Sequence, residues 1–251
     1  MWRVIVLCLL ILLSFSPVGA QQERDILDDA EAAYHARDYA RAIMLYRSLV
    51  DDGINAPEIL FNLGNAYYED GQIGLAMLHY LRAQRQNPRN MTIDASIMRV
   101  RAIRANYQSD PAHIIDNLAS TTYTIATERE LATVALIVWS GWFVLLGLSL
   151  VRWKRTLRRV LALSALIVLV LSVLSFARLY ADTYRPGAVI TELATPVLSG
   201  PSNEYLEMFE LYSGAEVRIL ERQGGWARFI LPDGRQGWIT RFAFEYVDFP
   251  R

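Results

Sequence analysis

Residues 131–151, LATVALIVWSGWFVLLGLSLV, carry no charged side chain, and residues 160–180, VLALSALIVLVLSVLSFARLY, carry only Arg178 near their end. Twenty-one helical residues rise about 31 Å, which matches a hydrocarbon core of about 30 Å. Each run therefore reads as one transmembrane helix and the pair as a hairpin; a buried soluble hairpin is the competing reading. Between them lies RWKRTLRR, residues 152–159, with five basic side chains and no acidic one. Short loops rich in lysine and arginine stay on the cytoplasmic side. Arg152, Lys154, Arg155, Arg158 and Arg159 thus place the loop inside, and residues 21–130 and 181–251 together outside. A nucleic-acid patch is the other reading of the octapeptide, but a formal net charge of −1 over 251 residues argues against it.

Neither run has an ionisable residue in its middle, so ion or proton transport by this chain alone is not expected. Ser140 and Gly147 on one run, and Ala165 and Ser172 on the other, recur seven apart and suit a close helix–helix contact. Thr127 and Glu130 are spaced as a capping box at the start of the first run.

The opening MWRVIVLCLLILLSFSPVGA reads as a secretory signal over residues 1–20: one basic residue, ten apolar residues, Pro17, and a small-residue cleavage site ending at Ala20. An uncleaved anchor is the alternative. Cys8, the only cysteine, falls within this segment and follows bulky Leu7, which disfavours lipidation. A mature chain without cysteine has no disulfide framework and no thiolate chemistry.

Residues 21–108 repeat with a period of 34: Tyr34 matches Tyr68, Ala42 matches Ala76, and Tyr46 matches Tyr80. That period and the run LFNLGNAYYEDGQIGLAMLHYLRAQRQNP resemble tetratricopeptide repeats, with Gly64 at a close helix approach, Gly71 at the turn and Pro88 as terminator. A helix near 91–107 caps the stack. The resemblance implies a concave groove lined by Asn62, Asn65, Tyr68, Glu69 and, from the cap, Arg99. For Asn62 and Asn65 a purely structural role, holding the helix pair together, is the alternative. Charge divides the domain: residues 21–78 hold eleven acids and four arginines, residues 79–108 six arginines and one acid. The basic half faces anionic lipid, an acidic partner, or solvent with some pairing to the acidic half. Residues 109–130 read as a linker or short interfacial helix.

From residue 186 the pattern shifts to short strands, AVITEL, EVRILE, WARFIL and GWI, broken by SGPS, SG, QGG and PDG turns. Gly200, Pro201, Gly214, Gly225, Trp226, Asp233, Gly234, Gly237 and Trp238 carry a resemblance to a bacterial SH3-like barrel over residues 186–251. Tyr205, Phe209, Tyr212 and Trp238 are then candidates for an aromatic ligand surface, and Trp226 and Trp238 are expected mainly to fill the core.

His35, His79 and His113 have no ligand spacing, and helical surface or groove positions are expected for them. No phosphate loop or nucleophile elbow occurs. The expectation is a multidomain, non-enzymatic chain without metal or cofactor: an all-α repeat domain, a two-helix transmembrane hairpin and an all-β SH3-like barrel. In this order the modules resemble the BatE-type aerotolerance proteins of bacteria. That resemblance implies a scaffold in the bacterial inner membrane beside von Willebrand A-domain membrane proteins and a MoxR-type ATPase. Peptidoglycan binding by the barrel is the alternative function.

Overall fold

The computed structural model describes residues 18–105, 128–151, 161–166, 168–169, 172–173 and 186–248. Residues 1–17, the loop 152–159 with its five basic side chains, Thr127 and His113 lie outside the described residues.

Five helices form the N-terminal unit: α1 (Val18–His35), α2 (Tyr39–Asp51), α3 (Pro57–Glu69), α4 (Ile73–Gln86) and α5 (Met91–Ala105). Asp38 starts α2 by accepting a hydrogen bond from the Arg41 amide at 3.2 Å, and Pro57 occupies the first turn of α3, where its missing N–H costs nothing. The 34-residue matches fall on equivalent buried positions: Ala42 and Ala76 are fully buried, as are Tyr46 and Tyr80. Gly64 lies against the Tyr80 ring, where an added Cβ would stand 2.7 Å from two ring carbons. Any side chain there would push α3 and α4 apart.

The two helix turns repeat in backbone detail. Gly71 has φ +81°, with its amide on the Tyr68 carbonyl and the Gln72 amide on the Tyr67 carbonyl. Arg37, 34 residues earlier, has φ +62° and the same pair of bonds, to Tyr34 and Ala33. An L-residue with a Cβ is strained in this region. Arg37→Gly is expected to raise stability by about 0.5–1 kcal/mol, the relief of strain exceeding the added unfolded-state entropy; a urea midpoint that fails to rise would refute it.

The C-terminal unit is a seven-stranded antiparallel sheet: β1 (Gly187–Ile190), β2 (Ala194–Leu198), β3 (Glu207–Tyr212), β4 (Glu216–Gln223), β5 (Trp226–Ile230), β6 (Gln236–Thr240) and β7 (Phe244–Tyr246). The strand order is β3-β2-β6-β5-β4-β1-β7, and a 3-10 turn, Arg241–Ala243, leads into β7. Glycines with positive φ mark three turns: Gly214 between β3 and β4, which are not neighbours in the sheet, and Gly224 and Gly234 in the β4–β5 and β5–β6 hairpins. The expected PDG turn is the last of these, with the Arg235 amide held by Asp233 at 2.8 Å. Val197, Leu211, Val217, Ile219, Ala227, Phe229 and Ile239 form the core. Trp226 and Trp238 do not: in β5 and β6 the buried positions are Ala227, Phe229, Gly237 and Ile239, so strict alternation turns both tryptophans outward.

Helix α6 (Glu128–Val151) includes the first apolar run. Leu136, Ile137, Phe143, Val144 and Leu148 are exposed on it. Its Trp139 indole N–H donates to the Ser172 hydroxyl at 3.1 Å, so the second apolar run lies against the first. Ser172 meets Trp139 there, and Ser140 instead bonds the Leu136 carbonyl of its own helix. Over the described side chains, which on α6 end at Leu148, no helix is long and apolar enough to cross a membrane. Glu130 pairs with Arg89 at 3.3 Å, which joins the start of α6 to the α4–α5 turn.

Candidate functional site

The helical unit and the sheet are not separate arms. Strand β1 is buried on both faces: Ala188 and Ile190 join the sheet core, while Val189 joins the core of the helices together with Val247. Helix α4 lies across this edge, and Ala76, Met77, Leu78, His79 and Tyr80 are consecutive buried residues on it. Gly74, in the first turn of α4, sits over the Ile190 carbonyl, where a Cβ would be 2.4 Å from the oxygen. Its amide donates to the Ser213 hydroxyl at 2.9 Å. Gln72, at the N-cap position, makes no side-chain cap bond, so the β3–β4 turn supplies a cap to α4 from the other unit.

Arginines close this seam. Arg82, whose side chain is 10% exposed, donates through Nη2 to the Tyr246 carbonyl at 2.8 Å and through Nε to the Val247 carbonyl at 3.2 Å. Its burial depresses its pKa, and Glu245, 3.7 Å away, opposes that effect. Arg85 pairs with Asp248, and Arg101 makes a two-pronged pair with Glu216 at 2.8 and 3.0 Å. The basic stretch 79–108 was expected to meet lipid, a partner or solvent; Arg82, Arg85 and Arg101 instead meet carboxylates of the chain's own sheet. Helices α4 and α5 turn these side chains toward β4, β7 and the residues that follow β7.

The predicted groove residues fall into two groups. Asn65 accepts a hydrogen bond from the Tyr80 hydroxyl at 2.8 Å and so ties α3 to α4, while Asn62 lies near the Tyr46 hydroxyl and opposes the rise that burial causes in its pKa. Burial pushes Tyr46 up to about 12 and Tyr80 higher still. Tyr68, Glu69 and Arg99 form the second group. The Arg99 guanidinium lies 5.8 Å from the centre of the Tyr68 ring, and exposed Glu69 acts on Tyr34, whose pKa is raised first by burial and then by that carboxylate. Tyr34 in turn packs edge-on against Tyr39 at 5.6 Å. Tyr34, the 34-residue counterpart of Tyr68, was not named as a groove residue, although the period itself marked it. One face thus presents two half-buried tyrosines between an exposed carboxylate and an exposed guanidinium.

The four aromatic candidates of the sheet are dispersed. Tyr205, half exposed, lies across Gly200, where an added Cβ would be 2.6 Å from its ring. Phe209 pairs with Val197, packs on the core, and is covered by the Arg235 guanidinium at 4.8 Å. Tyr212 donates its hydroxyl to Glu210 at 3.2 Å, which raises its pKa. Trp238 stands outward, beside Leu198 on β2 and Arg228 on β5, and Arg228 pairs with Glu221 at 3.5 Å. Phe209 and Trp238 therefore face opposite sides of the sheet.

His79 is buried rather than on a surface. It stacks on Tyr67 at 5.4 Å, and burial, with Arg82 and Arg47 adding to it, lowers its pKa to about 3. His35 is exposed at the end of α1. Among the described residues no group of histidine, cysteine or carboxylate side chains is arranged to hold a metal ion.

The sheet's turns and alternation are those of an SH3-like barrel, and the family comparison agrees. Residues 194–242 match the bacterial SH3 domain family. No curated protein matches the chain significantly. The match runs from the start of β2 into the 3-10 turn, so it leaves out β1 and β7. These two strands pair with each other and carry the helical unit. The SH3 domain of this chain is thus extended at one edge by a two-strand platform on which α4 docks.

Proposed function

We propose that this chain is a non-enzymatic, membrane-anchored adaptor that holds a protein partner outside the cytoplasm on the Tyr34, Tyr68, Glu69 and Arg99 face of its helices. The carrying observation is the placement of that face: the SH3 domain takes α4 and the edge of α5, and leaves these four side chains clear of the seam. The 34-residue equivalence of turns and buried tyrosines supports reading the helices as tetratricopeptide repeats, a framework that offers such a face to peptides. An aromatic floor with one charge of each sign suits an extended peptide segment, whose stem packs on the rings while its polar groups meet Glu69 and Arg99.

The membrane hairpin is part of this reading. Residues 131–151 have no charge, and α6 exposes large apolar side chains along its length, which a bilayer would cover. The seam adds a topological argument. Residues 74–101 touch residues 187–248, so the chain between them must cross a bilayer an even number of times. Two spans satisfy this requirement, and the basic loop between them supports reading both units as outside. By resemblance to the BatE-type proteins, von Willebrand A-domain membrane proteins and a MoxR-type ATPase system are the partners to examine first.

A photocrosslinker at Tyr68 in native membranes is expected to trap a discrete protein, and Arg99→Glu to reduce that product about tenfold. A product unchanged by Arg99→Glu would exclude this face. A reporter active only outside the cytoplasm should be silent after Arg155 and active after Arg251. A second reading, peptidoglycan binding by the SH3 domain, is favoured by the outward-facing Trp238 beside Arg228; sedimentation of the full chain with purified wall, lost in Trp238→Ala, would support it.

A further inference from the structure

Two attachments tie the helical unit and the sheet to the apolar runs, and both arrive at one end of α4. The first is the Arg89 guanidinium, whose Nη1 and Nη2 donate to the two Glu130 carboxylate oxygens at 3.3 Å. Glu130 is the last charged residue before the uncharged run that begins at Leu131. The second is the start of the sheet: the six steps from Tyr180, where the second run ends, to Pro186 span at most about 21 Å. Gly187 then lies beside Arg85, whose guanidinium is 3.7 Å from where a Cβ would stand, and Arg85 pairs with Asp248. Arg85 and Arg89 thus mark the C-terminal end of α4, whereas Gly74 at its start is about 16 Å away along the helix axis.

Met91 opens α5 two residues beyond Arg89 and is 85% exposed. Ile93, Ile97 and Val100 turn into the helical core, which leaves Met91 on the other side of α5. Helical side chains lean toward the N-terminus of their helix, so Met91 projects past the end of α5 on the side of Arg89 and Glu130.

We propose that the α4–α5 turn rests on the outer surface of a phospholipid bilayer, with Arg89 and Glu130 at the level of the headgroups and Met91 inserted among them. The proposal rests on the reading of α6 as a membrane span, and adds to it the way the assembly stands. The α3–α4 turn, with Tyr68, Glu69 and Gly71, is at the opposite end of α4, and Tyr34 precedes the equivalent turn at Arg37. The tyrosine face is held away from the lipid, so the partner it fits is one whose bound segment stands roughly 15 Å clear of the bilayer. Arg89 acts as a positioning residue, through its pair with Glu130.

Single-cysteine chains carrying Cys8→Ser and one of Met91→Cys, Asp70→Cys or Ile137→Cys, labelled with a fluorophore, test this in nanodiscs of phosphatidylethanolamine and phosphatidylglycerol. Lipids spin-labelled near the headgroup should lower emission at position 91 at least about twofold and leave position 70 unchanged, while a label deep in the acyl chains quenches position 137. Arg89→Glu sets two carboxylates against each other and should cut the quenching at 91 at least about twofold. Deep quenching at 137 without quenching at 91, or equal quenching at 91 and 70, would overturn the orientation and leave the span intact. No quenching at 137 would remove the span and the proposal with it. Quenching at 91 that survives Arg89→Glu in full would overturn the role given to the ion pair.

Discussion

Lowering the pH from 6.5 to 4.5 is expected to remove about 2 kcal/mol of stability from the native chain through His79 alone. In the folded protein burial, with Arg82 and Arg47 nearby, holds the His79 pKa at about 3, against 6.5 for an unhindered imidazole. Between these values the unfolded chain takes up a proton that the folded chain refuses. The stabilisation is therefore complete above 6.5, falls by about 1.4 kcal/mol for each pH unit below it, and levels off near 3. His79→Phe keeps a flat ring against Tyr67 and removes the titration. Urea unfolding followed by tryptophan fluorescence at both pH values should show a pH loss smaller by about 2 kcal/mol in the variant. Equal losses in the two proteins would mean that carboxylates alone carry the acid response.

Arg82→Met is the second large effect, expected to cost about 2–4 kcal/mol. The substitution keeps most of the aliphatic stem but leaves the Tyr246 and Val247 carbonyls without their buried donors. It also strips Glu245 of its cation at 3.7 Å. Arg82→Lys should rescue little, because a single ammonium cannot serve two carbonyls along the strand with the geometry of the guanidinium fork. Hydrogen exchange provides the local readout: the Val247 amide, bonded to the Gly187 carbonyl, should lose protection together with β1. Native protection in Arg82→Met would show that Val189 and Val247 hold the seam by packing alone.

The helix pairs were legible because their constraints are local and repeat. Gly64 has to be small since the Tyr80 ring lies on it, and Tyr46 and Tyr80 occupy one position in two copies. The strands around Gly214, Gly224 and Gly234 were legible for the same reason, because a turn with positive φ writes itself into a few adjacent residues. The tryptophans of the SH3 domain were misplaced by weighing size over alternation: WARFI and QGWIT put Ala227, Phe229 and Ile239 inward whatever the bulk of their neighbours. For Asn65 the position of the Tyr80 hydroxyl, which the repeat period alone does not give, decides between a binding and a structural role.

The seam was the least legible part, since its partners lie more than a hundred residues apart and no motif joins them. Traces of it are nonetheless present. The run GAVI shows no alternation because β1 is covered on both faces, and AMLHY places five buried residues in a row on α4, more than an amphipathic helix needs. The clustering of arginines at 82, 85 and 101 was visible, but its target was not.

The docking of α4 on β1 and β7 also sets an order of events during synthesis. Leu78 and Arg82 are finished about one hundred residues before the strands that cover them, a delay on the order of 5–20 s at ordinary translation rates. For that interval the outer side of α4 is bare while the intervening apolar runs are being made. The segment ending in β7 is the one that closes it. Truncations within residues 244–248 should therefore leave a protein that is recognised as unfinished, because its exposed apolar surface lies on a helix made long before the cut.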